Sequence, residues 1–129
     1  MSEESVCGDG SLCHPDERRV SEAINLLACR IGAWAQSKGW REAEPRKPLV
    51  LAALIHTEVS ELVEGYRHGN PMCDKPGLEG MSNAAEELAD IVIRVCDFAD
   101  EHGIDLGDAV IRKLAVNQKR PHRHGGKAH

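Results

Sequence analysis

A chain of 129 residues is long enough for one domain with a real core and too short for two comfortable ones. It is 41% hydrophobic but only 3% aromatic, so its core must be built from Leu, Ile, Val and Ala, a mix that favours helices. The net charge of -5 conceals an asymmetry: 112–129 holds six Lys/Arg and no acid, leaving ten basic against twenty-one acidic residues elsewhere.

An acidic body suits metal ions and a basic end suits phosphate groups, although solvated surface charge accounts for most such residues equally well. Residues 1–15 contain Gly8, Gly10 and Pro15 without apolar periodicity, and read as a flexible N-terminal arm. The start, Met1-Ser2-Glu3-Glu4, has no signal-peptide character, and the longest apolar run, Leu49 to Ile55, cannot span a bilayer. A cytoplasmic protein is expected, with no membrane and no nucleic-acid polymer among its partners. Five cysteines in no disulfide-like spacing read as thiols, Cys29 and Cys96 as small core residues. Cys7, Cys13 and His14 form only half of a zinc site, so structural zinc is not expected.

A first helix is predicted from Asp16 or Glu17, with Val20, Ile24, Leu27, Ile31 and Trp34 as its apolar stripe and Gly39 as its stop. A charged connection, 41–47, leads to Pro48, which suits the first turn of a second helix ending near Arg67 or His68, before Gly69. Residues 70–82 form the longest internal loop, a length that is often functional. Ser82 or Asn83 caps a third helix, and Asn83 with Glu86 has capping-box spacing. Its stripe is Leu88, Ile91, Val92, Val95, Phe98 and Ala99, and Gly103 stops it. Asp105 caps a fourth helix closed by Pro121. The class is all-α, with four main helices: a helical domain over 16–121 and a flexible basic tail over 122–129.

The chemistry centres on helix two. At about 100° per residue, Leu51, Leu54, Ile55, Glu58, Leu62 and Gly65 share one stripe, with Glu61 at its edge. A buried carboxylate stays ionised only if it is paired or coordinates a metal. Glu87 and Asp90 repeat the three-residue spacing on the next helix, so two helices aim four carboxylates into one gap. Magnesium takes one or two carboxylates plus substrate phosphates, and such a centre supports metal-assisted hydrolysis. Acidic pairs are also common on solvated helix faces, where most do nothing. A di-iron centre would need Glu-x-x-His on two helices, and no Glu here has a His three residues later. Trp34 and Trp40 suit either packing or base stacking.

The order Glu58-x-x-Glu61, loop, Glu86-Glu87-Leu88-Ala89-Asp90, then Leu106-Gly107-Asp108-Ala109-Val110 with Lys113, Asn117 and Arg120, resembles the all-α nucleoside triphosphate pyrophosphohydrolases, the MazG-like superfamily. Ser37-Lys38-Gly39-Trp40 before Pro48-Leu49 is similar to the dCTP-pyrophosphatase branch. The resemblance covers about residues 17–121 and implies a four-helix MazG-like bundle completed as a homodimer or homotetramer. It implies hydrolysis of a nucleoside triphosphate to monophosphate and pyrophosphate, acting in nucleotide-pool house-cleaning. Glu58, Glu61, Glu87 and Asp90 would bind magnesium (or manganese), and Glu61 would orient the attacking water. Lys113, Asn117 and Arg120 would meet the triphosphate, and Trp34 and Trp40 the base. Thr57 stands where many members carry a further glutamate, and Pro121-His122 follows Arg120 where a Tyr is usual. A phosphoribosyl-ATP pyrophosphatase, a nucleotide-binding sensor and a helical interaction module remain the alternatives. A basic tail closing over bound triphosphate is a further expectation from charge.

Overall fold

A computed structural model describes residues 5–6, 12–13, 15–41 and 44–121. Among the described residues there are four helices, α1 (Pro15–Ser37), α2 (Pro48–Arg67), α3 (Asn83–Glu101) and α4 (Leu106–Gln118). A two-residue antiparallel ladder, β1 (Ser5–Val6) with β2 (Leu12–Cys13), pairs Ser5 with Cys13 and Val6 with Leu12. The architecture is therefore essentially all-α, as composition and periodicity require. No described helix is long and apolar enough to cross a membrane. Cys7, His14 and the tail 122–129 lie outside the described residues, and so do the expectations placed on them.

Local signals set the helix ends. Pro48 opens α2, where its missing N–H is harmless. Ser82 Oγ accepts from the Ala85 N–H at 3.1 Å and Asp105 Oδ1 from the Asp108 N–H at 2.9 Å, so both N-termini carry side-chain caps. Gly39, Gly69 and Gly103 have φ of +73°, +81° and +64°, the left-handed conformation that ends helices cheaply only with glycine. The Asn83–Glu86 capping box does not form. Ser82 takes the capping role, and the Glu86 carboxylate turns instead to the preceding loop.

The chain divides into two compact units, 28–104 and the combination of 1–27 with 105–129. In the second of these, Asn25 Nδ2 donates to Asp105 Oδ1 at 2.8 Å, and its Oδ1 accepts from the Gly107 N–H at 2.9 Å. Gly107 is buried there, and any Cβ would collide with the Ser21 carbonyl oxygen, so the close approach requires glycine. In the unit 28–104, α2 and α3 pack along each other, and the buried apolar side chains are Ala28, Ile31, Ala35, Leu51, Ala84, Cys96 and Ala99. Gly65 belongs to that packing, since a Cβ there would collide with Asn83 Oδ1.

The predicted stripe of α2 is the covered one: Leu51 and Glu58 are buried, Leu54, Ile55, Leu62 and Gly65 half-buried, and Glu61 exposed. The stripes of α1 and α3 hold in part: Ile31 and Ala99 are buried and Ile24, Ile91, Val95 and Phe98 half-buried, but the remaining positions need correction. Val20, Leu27, Trp34, Leu88 and Val92 are all more than 40% exposed, and Cys29 is exposed rather than core. On α3 the covered positions are Ala84, Glu86, Glu87, Cys96, Asp97 and Ala99. Small residues allow close approach there, and two of the buried acids, Glu86 and Asp97, are matched by partners from elsewhere in the chain. Apolar periodicity registers neither effect.

Candidate metal centre

Helical spacing puts Glu58 and Glu61 one turn apart on α2, and the α2–α3 packing brings Glu87 against them. One carboxylate oxygen from each of the three lies within 4.8 Å of the others. Glu58 is 7% and Glu87 6% exposed, whereas Glu61 lies open to solvent. Glu87 Oε1 receives a long hydrogen bond, 3.5 Å, from Asn83 Nδ2, while Glu87 Oε2 is buried with no hydrogen-bond partner among the described residues. Burial pushes the Glu87 carboxyl above its ordinary pKa, and the charges of Glu61 and Glu86 push it further. A buried carboxylate facing a second one, with an oxygen lacking any donor, is a mismatch that a divalent cation removes. An all-oxygen donor set suits a hard cation such as magnesium or manganese.

Asp90, the fourth expected ligand, is not part of this three-acid group. It is half-buried, and its pKa is raised by burial first and then by the charge of Glu58, with Lys75 opposing. It therefore shares the electrostatic neighbourhood without meeting the same focus.

Arg94 is a participant that motif reading missed. Its Nε donates to Glu58 Oε1 at 2.9 Å, and its guanidinium lies over the Trp40 ring, 5.1 Å from the centroid. Trp40 in turn meets Trp34 edge-on at 4.7 Å, so the two predicted base-contacting tryptophans form a pair. The signal was present in the spacing, because Arg94 falls four residues after Asp90 and seven after Glu87, on the same helical face.

Glu86 is buried as well, but it is satisfied. Cys73 Sγ donates to its Oε2 at 2.7 Å, and the Lys75 ammonium pairs with its Oε1. The thiol, then the ammonium, hold the Glu86 carboxyl below its usual pKa. Both partners come from the 70–82 loop, which also folds on itself: the Cys73 N–H donates to the Met81 carbonyl, and Asn70 Oδ1 accepts from the Ala84 N–H. That loop is fastened to the start of α3, beside Glu87.

A second charge cluster fixes the connection carrying Trp40. Arg41 reaches Asp100 at 2.7 Å and Asp97 at 2.9 Å; Arg46 reaches Asp97 at 2.6 Å and Glu101 at 2.7 Å. Asp97, 1% exposed, thus receives two guanidinium groups, which offset the cost of burying it. Gly32 leaves the space that Asp100 fills.

Lys113 and Asn117 lie on α4 and Arg120 just beyond it, within the other unit, where all three are exposed. Comparison with protein-family models, with curated proteins and with solved structures finds no match.

Proposed function

We propose that the protein is a magnesium-dependent nucleotide pyrophosphohydrolase, cleaving a nucleoside triphosphate to its monophosphate and pyrophosphate. The observation that carries this reading is the convergence of Glu58, Glu61 and Glu87 around a buried, unpartnered carboxylate oxygen. The hydrolytic reaction is supported by the sequence resemblance to the MazG-like superfamily. When bound, magnesium supplies positive charge to the triphosphate and lowers the pKa of a coordinated water.

The chain's own groups divide the remaining work. Glu58 and Glu87, fixed by burial, hold the cation side of the site, and Asp90 adds negative charge beside them. Glu61, at the solvent-facing edge, orients the attacking water and accepts its proton as the water oxygen bonds to the α-phosphorus. The bond from the α-phosphorus to the bridging oxygen then breaks, and pyrophosphate leaves with its electron pair. Trp40, half-buried and backed by Arg94, suits stacking of a base. The roles of Lys113, Asn117 and Arg120 toward the triphosphate rest on the resemblance alone. A homodimer or homotetramer belongs to the same proposal.

The test is pyrophosphate release from a panel of canonical and modified nucleoside triphosphates, with magnesium or with EDTA, for wild type and Glu61→Ala. Magnesium-dependent release that falls by two or more orders of magnitude in the variant is expected. No release from any nucleotide by folded protein in magnesium overturns the enzymatic reading in favour of a binding or interaction module. Turnover confined to phosphoribosyl-ATP moves it to that branch.

A further inference from the structure

Resting on the cation reading above, we propose that Arg94 is a positioning residue that ties cation occupancy of the acidic cluster to the Trp34–Trp40 pair. The contacts form one chain: Glu58 Oε1 to Arg94 Nε at 2.9 Å, the guanidinium 5.1 Å from the Trp40 ring centre, and Trp40 to Trp34 at 4.7 Å. The Arg94 and Glu58 side chains are 24% and 9% exposed, so water screens their interaction weakly. A planar guanidinium donates through its edge while its face lies on an aromatic ring, and an ammonium does not do both. Holding Glu58 by one oxygen restrains the carboxylate that shares the cluster with Glu61 and Glu87.

The coupling follows from charge. When Glu58 shares its negative charge with a divalent cation, its hold on Arg94 weakens and the guanidinium shifts over Trp40. Indole emission responds to a cation moving across its face, so Trp40 reports occupancy of the acidic cluster through Arg94. Linkage makes the effect mutual: whatever stacks on the pair changes cation affinity by the same factor. Arg94 thereby couples what happens at the tryptophan pair to cation binding at the cluster.

The test titrates the full chain with magnesium chloride, following tryptophan emission and calorimetric heat in parallel. Wild type is expected to show an emission change whose midpoint matches the calorimetric one. Arg94→Gln should keep the cation stoichiometry while its emission amplitude falls at least fivefold, and Arg94→Lys should recover part of it. Trp40→Phe should remove the response, and Trp34→Phe should retain it. A full response in Arg94→Gln, an unchanged amplitude in Trp40→Phe, or binding heat without any emission change in wild type overturns the inference and leaves the cation site standing. Absence of binding heat in wild type overturns the cation reading itself and this inference with it. If Arg94→Gln does not fold, Arg94→Lys and the two tryptophan variants decide: equal amplitudes in wild type and Arg94→Lys count against the proposal.

Discussion

Glu86 and Glu87 are adjacent in sequence and equally buried, yet their surroundings are opposite. Glu86 is held by a thiol and an ammonium from the 70–82 loop, whereas Glu87 faces Glu61 with Oε2 unpartnered. An unsatisfied buried carboxylate costs folding free energy, and an amide in its place removes a negative charge and supplies N–H donors to its neighbours. Glu87→Gln is therefore expected to raise the melting temperature in EDTA by about 3–6 °C, the shift that ~1 kcal/mol produces in a domain of this size. It should also lose most of the magnesium-induced rise seen in wild type. Glu86→Gln should do the reverse in EDTA, lowering stability by about 1–3 kcal/mol because a charge-assisted pair is lost. Thermal melts of the three proteins, with and without magnesium, make the comparison. Equal signs for the two variants would mean that Glu87 already has a partner.

Between elements, two contacts decide how helices and connections are held. Gly107 sits against the Ser21 carbonyl where α4 begins. Gly107→Ala should destabilise by about 1–3 kcal/mol in urea unfolding, because a backbone oxygen cannot rotate away, even though alanine is ~1 kcal/mol better in a helix. Stability equal to wild type or higher would show that the approach is looser than described. Ahead of α2, Arg46 is held by Glu101. Burial alone would raise the Glu101 pKa, but hydrogen bonds from the Arg46 side chain and backbone outweigh it and lower it. A lowered folded-state pKa stabilises above the ordinary glutamate range, and the contribution is lost as pH falls through the lowered value. Glu101→Gln should thus cost about 1–3 kcal/mol at neutral pH, a deficit that shrinks steadily in acid; a deficit independent of pH would exclude the charge as its source. The same elements show what a sequence discloses. Pro48, the caps at Ser82 and Asp105, and the terminal glycines act within a few residues, so the helix boundaries were readable in advance. Glu58 and Glu61 were readable as a pair because helical spacing puts them one turn apart on α2, whereas the packing of α3 on α2 decides that Glu87 joins them and Asp90 does not. The covered row of α3 and the loop partners of Glu86 depend on which distant segments arrive, and no local pattern encodes that; spacing puts Arg94 on the face of Glu87 and Asp90, but its partners Glu58 and Trp40 are set by packing.

Among the described residues four acids, Glu58, Glu86, Glu87 and Asp97, are buried, while many large apolar side chains are exposed. Leu49 is 81%, Leu26 66% and Tyr66 63% exposed, and α2 and α3 each show an i, i+4 apolar pair, Val59 with Val63 and Leu88 with Val92. Scattered apolar residues are normal on a protein surface, but paired rows on neighbouring helices favour association. The expectation of a homodimer or homotetramer accordingly predicts a sedimentation-equilibrium mass of two or four times the 14.1 kDa chain at micromolar concentration. A two-fold interface presents each residue twice, so a substitution within it is felt twice. Burying one Val or Leu side chain stabilises by about 1.5–3 kcal/mol, and losing two copies weakens a dimer by roughly 10²- to 10⁴-fold. Val63→Lys and Leu88→Lys, made separately, test the two rows. At least one should shift the mass to 14.1 kDa at concentrations where wild type stays assembled, with helical circular dichroism retained. Wild type that sediments as a single chain at tens of micromolar would remove the assembly from the proposal, and the outer rows of α2 and α3 would then be ordinary surface.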